Sequence, residues 1–357
     1  MNSTNNVRCS HLNTTGGNIA VPYPVGVTIA VLICLFLLLG LFLNIFSMWV
    51  FMYRIPEWRS GTFLQFHLAI SDITMCPLAP FITAYYFLEG HWPFGNLLCR
   101  IKTVVLIVHL YGSILFLTLI SVHRYVLVVY HSQNSRMKQK DFVKKLCAVV
   151  WVFLLVNGVV CGSVLDTSPV GHCTLRLSVH QEQNVEVFFV INFVLLIPGF
   201  LIPFTVSVFC YSCLARSVSG INVFQQKGQL IKRKSRKMVA VCLVIFGLCF
   251  MPMTVVRTIW VVVKKYFPTH CNLLLQVETA HYVSFILSSA NCCLDPLIYC
   301  FASQNFTRAI QSSLRKIGIQ SVRKNADDKI EHDSGLTTIN NPTGLTLNRD
   351  MITTTHL

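Results

Sequence analysis

The chain has 357 residues, of which 54% are hydrophobic and 12% charged, and its 29 basic residues outnumber 14 acidic ones for a net charge of +15. Soluble domains carry about 25% charged residues, so this composition excludes a soluble globular protein, a disordered chain and a small disulfide scaffold. Outside the apolar runs no segment is long enough to bury a core of its own, and the basic excess reads as positive loops beside a membrane rather than as a nucleic-acid surface.

Residues 1–24 are polar, lack the basic start and apolar core of a cleavable signal peptide, and carry glycosylation sequons at Asn2 and Asn13. A membrane helix needs about 20 apolar residues. Seven stretches qualify, roughly 25–53, 60–88, 97–130, 143–165, 186–215, 237–263 and 273–301, the first serving as signal anchor. The short joint 54–59, the loop 131–145, the polar basic joint Arg216–Arg236 with Lys237, and the tail after 301 hold 21 basic residues. The opposite side holds six, so the positive-inside rule puts the N-terminus outside the cell and the C-terminus in the cytoplasm. After the seventh span, residues 302–316 alternate apolar Phe306, Ile310 and Leu314 with Arg308, Arg315 and Lys316, the pattern of a short amphipathic helix on the inner leaflet. Residues 317–357 read as a disordered cytoplasmic tail. The expected architecture is therefore an all-α membrane protein, a seven-helix transmembrane bundle followed by a surface helix.

Polar groups at membrane depth are costly and ask for a reason. Asn44 in the first span, Asp72 in the second, Ser113 in the third, and Asn291 with Asp295 one helical turn apart in the seventh can converge on one small polar cavity. Oxygen ligands of this kind suit a hard cation such as sodium; the alternative is an interhelical hydrogen-bond network without an ion. Prolines recur inside spans at Pro198, Pro203, Pro252 and Pro296, each removing a backbone hydrogen bond and kinking its helix. Most of the 15 cysteines lie in apolar runs, and no paired CxxC motif suggests zinc. HExxH and GxSxG are absent, and the odd span count argues against a repeat-built transporter.

With these residues in view, the sequence resembles the rhodopsin-like G-protein-coupled receptors over about residues 25–316. The resemblance rests on Asn44 in Gly-Leu-Phe-Leu-Asn, Leu68-Ala-Ile-Ser-Asp72, Trp92-Pro-Phe-Gly before Cys99, His123-Arg124-Tyr125, Trp151, Pro203 with Tyr211, Phe246-Gly-Leu-Cys-Phe250-Met-Pro252, and Asp295-Pro-Leu-Ile-Tyr299, in that order. Leu110–Tyr125 and Ser288–Tyr299 look most like the purinergic nucleotide receptors and their protease-activated, lysophospholipid and carboxylate-sensing relatives.

The resemblance implies a receptor that binds an extracellular small ligand and activates a heterotrimeric G protein. It implies disulfides Cys99–Cys173 and Cys9–Cys271 on the outer side. The nucleotide receptors carry a His at the place of Thr254 and a basic residue at the place of Phe285, and here one phosphate-binding cation, Arg257, remains. An anionic ligand with one charged group and an apolar body, a lipid acid or small carboxylate, then fits better than a nucleotide. Arg257, Lys102, His109, Thr254, His281 and Tyr282 are its expected polar contacts, and Leu106, Ile107 and Phe285 its apolar wall. The expected switch is a pivot at Pro252 beside Phe250, with Tyr211 and Tyr299 taking up Arg124 as the sixth span swings outward, next to His123 and Tyr125. His123 stands where the wider family has an acid, which implies weak locking of the resting state and measurable basal activity. Thr355-His356-Leu357 matches a PDZ-domain ligand, and Ser334, Thr337, Thr338 and Thr353–Thr355 are candidate phosphosites for arrestin. A receptor-like protein without its own agonist is the competing reading, and a transporter the more distant one.

Overall fold

The computed structural model describes residues 23–88, 92–130, 135–165, 185–219, 226–302, 306–307 and 311–312. Seven helices in it are long and apolar enough to cross a membrane: Pro24–Tyr53, Ser60–Phe87, Gly95–Tyr130, Lys140–Ser163, Val185–Ser217, Lys232–Tyr266 and Asn272–Cys300. The chain is all-helical, and its seven spans agree with the sequence expectation to within a few residues at most ends. They belong to one body, Met1–Thr307; of the second unit, Arg308–Leu357, residues 311–312 are described and are helical. The amphipathic helix expected over 302–316 falls mostly outside the described residues, as do Cys9, Cys173, Asn2, Asn13 and the tail.

The second, third and seventh spans are the most enclosed, with 56% of their apolar windows buried against 28–39% elsewhere. They are also the spans that carry Asp72, Ser113, Asn291 and Asp295, so the polar residues sit where neighbouring helices can satisfy them. Leu35, Leu38 and Phe42 of the first span and Val149, Val156 and Val159 of the fourth face outward, as lipid-facing side chains do. The sixth helix differs from expectation at its inner end. It begins at Gln226, so much of the basic joint is helical rather than loop. Hydropathy marks where the membrane ends, but Gln, Lys and Arg are good helix formers and continue the helix beyond it.

Prolines set the irregular turns that shape the bundle. The fifth span has a π turn at Ile197–Leu201 and the sixth one at Phe246–Phe250. A proline cannot donate to the carbonyl four residues back, and its ring presses on that carbonyl. For Pro203 the affected residue is Gly199, and for Pro252 it is Leu248, each inside the π turn of its span. Pro77 and Pro80 similarly accompany the 3₁₀ turn Cys76–Leu78 that divides the second span. The seventh helix breaks at Ala290, between Cys271–Ser289 and Asn291–Ala302.

Candidate functional site

The described residues form two polar centres, one in the halves of the spans expected to face outward, the outer centre, and one midway along them, the inner centre. The outer centre is built on Arg257. Its Nε donates to Asn192 Oδ1 at 2.9 Å and an Nη2 hydrogen to the Tyr111 hydroxyl at 2.5 Å. The guanidinium also lies 5.8 Å from the Tyr111 ring centre. Asn192 is fixed from its other side by donating to Thr258 Oγ1 at 3.2 Å. Tyr111 is buried on the third span, and its ring lies against Gly199 of the fifth-span π turn, where any larger residue would overlap it. Arg257 therefore joins the third, fifth and sixth spans through two neutral acceptors. Of the five guanidinium N–H groups, these bonds use two and leave three, and no carboxylate among the described residues pairs with it.

His281 of the seventh span lies near Arg257, stacks on Phe285 with ring centres 6.3 Å apart, and is buried with its Nδ1 unpartnered among the described residues. Tyr282 donates to the buried Glu278 at 2.9 Å. Leu106 and Phe285, expected as the apolar wall, pack on an aromatic cluster containing Tyr86, Trp92 and Tyr282. Ile107 is buried outside that cluster. Lys102 is buried as well, its Nζ 5.7 Å from the Trp92 ring centre and 3.8 Å from Cys99 Sγ. Thr254 returns its hydroxyl to Phe250 O at 2.8 Å, so that group is already engaged. At the outer rim Lys265 joins Glu186 at 2.7 Å and lies over Phe189, tying the sixth span to the fifth. Cys99 is disulfide-bonded, and both cysteines expected as partners for the outer bridges, Cys173 and Cys9, lie outside the described residues.

His109 departs from the expected arrangement. The sequence reading places it among the ligand's polar contacts, but its Nδ1 meets Ser71 O at 3.3 Å and its ring faces Asn291, which puts it at the inner centre. The cause is helical phase: His109 and Ser113 are one turn apart on the face of the third span that meets the second and seventh.

At the inner centre Ser113 donates to Asp72 Oδ1 at 2.9 Å, and the Asp72 and Asp295 carboxylates are neighbours. Asp72, Ser113, Asn291 and Asp295 are all fully buried. Asp72 Oδ2, both Asp295 oxygens, both Asn291 amide atoms and His109 Nε2 have no hydrogen-bond partner among the described residues. Two adjacent carboxylates repel unless a cation lies between them or they share a proton, and a hydroxyl with amide and carboxylate oxygens is a donor set suited to a hard cation. Asn44 stands aside from this group. It bonds Gly40 O and Cys292 O, and accepts from Tyr299 at 3.4 Å, joining the first span to the seventh.

Of the residues expected to form the switch, His123, Arg124, Tyr125, Tyr211 and Tyr299 lie toward the ends of their spans expected to face the cytoplasm, and Phe250 and Pro252 lie midway along the sixth. His123 is buried and bonded to Ser60 Oγ at 2.9 Å, above Gly61, where an added methyl would come within 2.8 Å of the imidazole. Arg124 and Ser121 of the third span approach Cys242 of the sixth. Tyr125 packs edge-on to Phe209, and Phe250 packs on Phe246 below Pro252. Tyr299 packs on Phe51 and Phe306 and so points to the first span here. Tyr211 is half-buried on the fifth.

Tyr111 and Asn192 are site residues that the sequence reading misses. An amide inside the apolar run Phe188–Phe193 carries the same signal that marks Asn44, an intramembrane polar group that needs a partner. Nothing in the sequence marks Tyr111 as that partner's neighbour.

Seven apolar spans packed around two polar centres define a seven-helix membrane protein. The sequence matches the family described as 7 transmembrane receptor (rhodopsin family) over residues 43–299, and the chain belongs to that family, which consists of receptors and not enzymes. It is 34% identical to purinoceptor 2 of Mus musculus over 275 residues, 76% of this chain and 72% of that protein. It is 32% identical to purinoceptor 4 of Mus musculus over 282 residues, 78% and 76% of the two chains. Lysophosphatidic acid receptor 4 of Homo sapiens is 30% identical over 274 residues, 76% of this chain and 73% of that one.

Proposed function

We propose that this G-protein-coupled receptor responds to an extracellular anionic amphiphile, a lysophospholipid or related lipid acid, whose head group binds Arg257. The observation that carries this is the guanidinium held by Tyr111 and Asn192, with three donors left and no carboxylate partner among the described residues. The wall of Leu106, Phe285, Tyr282, Tyr86 and Trp92 suits an apolar body. The similar proteins include some named for purines and some named for lysophosphatidic acid, and the site chemistry favours the second. A nucleotide triphosphate calls for several cations, whereas Lys102 is packed under Trp92 and the place of a second outer cation is Phe285.

In this reading the N-terminus is extracellular and the receptor lies in the plasma membrane, as the basic loops require. Ligand draws on Arg257 and thereby on the third, fifth and sixth spans together. The sixth span pivots at the π turn Phe246–Phe250, its inner half moves outward, and Arg124 exchanges Cys242 for Tyr211 and Tyr299. The opened crevice takes the C-terminal helix of a G protein α subunit. A ligand shifts this equilibrium only by its preference for the open arrangement. A sodium ion held by Asp72, Ser113, Asn291 and Asp295 would favour the closed one. Arrestin at the phosphorylated tail and a PDZ domain at Thr355-His356-Leu357 are further partners.

The test is G-protein activation in cells, read as loss of energy transfer between tagged α and βγ subunits. Oleoyl-lysophosphatidate, a free fatty acid, UTP and ADP are compared on wild type and Arg257→Ala. A lipid response that Arg257→Ala weakens roughly 100-fold, equivalent to about 3 kcal/mol of charge-assisted bonding, supports the reading. A response to UTP alone overturns the ligand class. Strong basal signalling without any ligand response favours the agonist-independent alternative.

A further inference from the structure

His281 of the seventh span is 7% exposed, and its Nδ1 meets no donor or acceptor among the described residues. Its ring is fixed, stacked on Phe285 with centres 6.3 Å apart and inclined to Tyr282 at 6.2 Å. Phe285 stands where the resemblance places a second basic residue, so the imidazole covers the position of the missing cation from one helical turn away. The charged group turned toward His281 is Arg257 of the sixth span. Tyr111 of the third span and Cys161 of the fourth lie beside that guanidinium. On the seventh span itself Glu278 accepts from the Tyr282 hydroxyl at 2.9 Å, and the second span brings Tyr86 to 6.1 Å from the Tyr282 ring. The first span contributes Ile29, Ile33 and Leu37 to the cluster on which Phe285 packs.

Charge balance decides what this imidazole can do. Arg257 supplies one positive charge, while the Lys102 ammonium is packed on Trp92. A carboxylate, a sulfate ester or a phosphodiester carries one negative charge, which Arg257 balances alone. A phosphomonoester carries nearly two above its second pKa of about 6. In a pocket that excludes water the surplus negative charge is costly unless a second positive charge meets it. An imidazole supplies that charge by taking a proton, and an anion lying against it stabilises the result. Facing Arg257 alone, the same proton would meet only repulsion.

We propose that the head group bound here is a phosphomonoester held between Arg257 and His281, and that its binding draws one proton from solvent onto His281 Nδ1. This rests on the reading of Arg257 as the head-group contact. One phosphate oxygen accepts from the free N–H groups of Arg257, and another accepts from the protonated Nδ1. The complex then sets two positive charges against two negative ones. Above about pH 7 the free ligand is a dianion and the free imidazole is neutral, so the complex holds one proton more than its separate components. Affinity therefore falls as pH rises. Below about pH 6 the free ligand already carries that proton, and the dependence levels off. A lipid with a sulfate head group takes up no proton and binds without this slope.

The experiment measures saturable binding of radiolabelled oleoyl-lysophosphatidate and oleyl sulfate to the full-length receptor in phosphatidylcholine nanodiscs, from about pH 7 to about pH 8.5. In wild type the lysophosphatidate affinity falls roughly tenfold for each pH unit, the slope of one proton taken up, while oleyl sulfate binds with the same affinity throughout. His281→Gln, which cannot take the proton, binds both lipids without a slope, and His281→Asn does the same. Thermal melting confirms that each variant is folded, and the comparison of the two lipids on wild type stands without any variant. A lysophosphatidate slope that persists in the folded His281 variants, or equal slopes for the two lipids on wild type, overturns the proposal. Lysophosphatidate binding that Arg257→Ala weakens but that is flat with pH in wild type overturns the proton uptake and leaves the Arg257 reading standing. Binding of oleyl sulfate without lysophosphatidate overturns the phosphomonoester, and saturable binding of neither lipid at any pH overturns the Arg257 reading and the proton uptake together.

Discussion

Replacing Tyr111 by Phe removes a single hydroxyl from the outer centre. The ring stays against Gly199, and its face remains 5.8 Å from the Arg257 guanidinium, so the change isolates the bond from Nη2 to the phenol oxygen. A hydrogen bond to a charged group contributes about 1.5–3 kcal/mol. Arg257 is half-buried, and a released N–H can turn to ligand or water. The loss therefore falls at the lower end, about 1.5 kcal/mol, or roughly tenfold in potency for oleoyl-lysophosphatidate. The assay is a concentration–response series for Tyr111→Phe, Arg257→Ala and the double variant, each matched for surface expression. If Tyr111 acts by positioning Arg257, the hydroxyl has nothing left to act on once the arginine is gone, and the double variant matches Arg257→Ala within about twofold. An equal tenfold loss in both backgrounds would show that the hydroxyl works independently of Arg257 and would refute the positioning argument. No loss in either background would remove Tyr111 from the site.

Other expectations follow from the same geometry. Gly199→Val drives a side chain into the Tyr111 ring; overpacking of this kind costs about 1–3 kcal/mol, so thermal stability and ligand potency fall together, whereas Gly247→Ala, with open space around it, is neutral. Replacing sodium by N-methylglucamine raises basal signalling and agonist affinity in wild type, and Asp72→Asn abolishes that dependence; a wild type indifferent to sodium would leave the inner centre as a hydrogen-bond network. Ser60→Ala breaks the bond to His123, and a neutral bond is worth about 0.5–1.5 kcal/mol. Basal G-protein activity then rises roughly two- to tenfold, and Gly61→Ala, which crowds the same imidazole, raises it too.

Much of this architecture is legible in the sequence because the membrane writes it in hydropathy. Apolar runs of the right length locate the spans, and the cost of burying polar groups singles out Asp72, Ser113, Asn291 and Asp295 without reference to any helix packing. What stays hidden depends on helix phase and pairing. Pro203 and Pro252 foretell irregularity, but not that each is taken up as a π turn four residues back, with Gly199 giving way to Tyr111. His109 is visible as a polar residue inside the third span, yet which neighbour it faces is settled by the rotation of that span. The inner end of the sixth helix reads as a joint because charge hides helix propensity from a hydropathy scan. Asn192 and Arg257 lie 65 residues apart, and their bond is a property of the packed bundle.

The most direct test of the central claim is equilibrium binding of a fluorescent lysophosphatidate to the purified receptor in lipid nanodiscs, with Arg257→Ala and Arg257→Lys alongside. The account predicts saturable binding that Arg257→Ala weakens roughly 100-fold, with Arg257→Lys intermediate, because an ammonium keeps the charge but loses the fork held by Tyr111 and Asn192. Saturable binding of equal strength in all three proteins would contradict it.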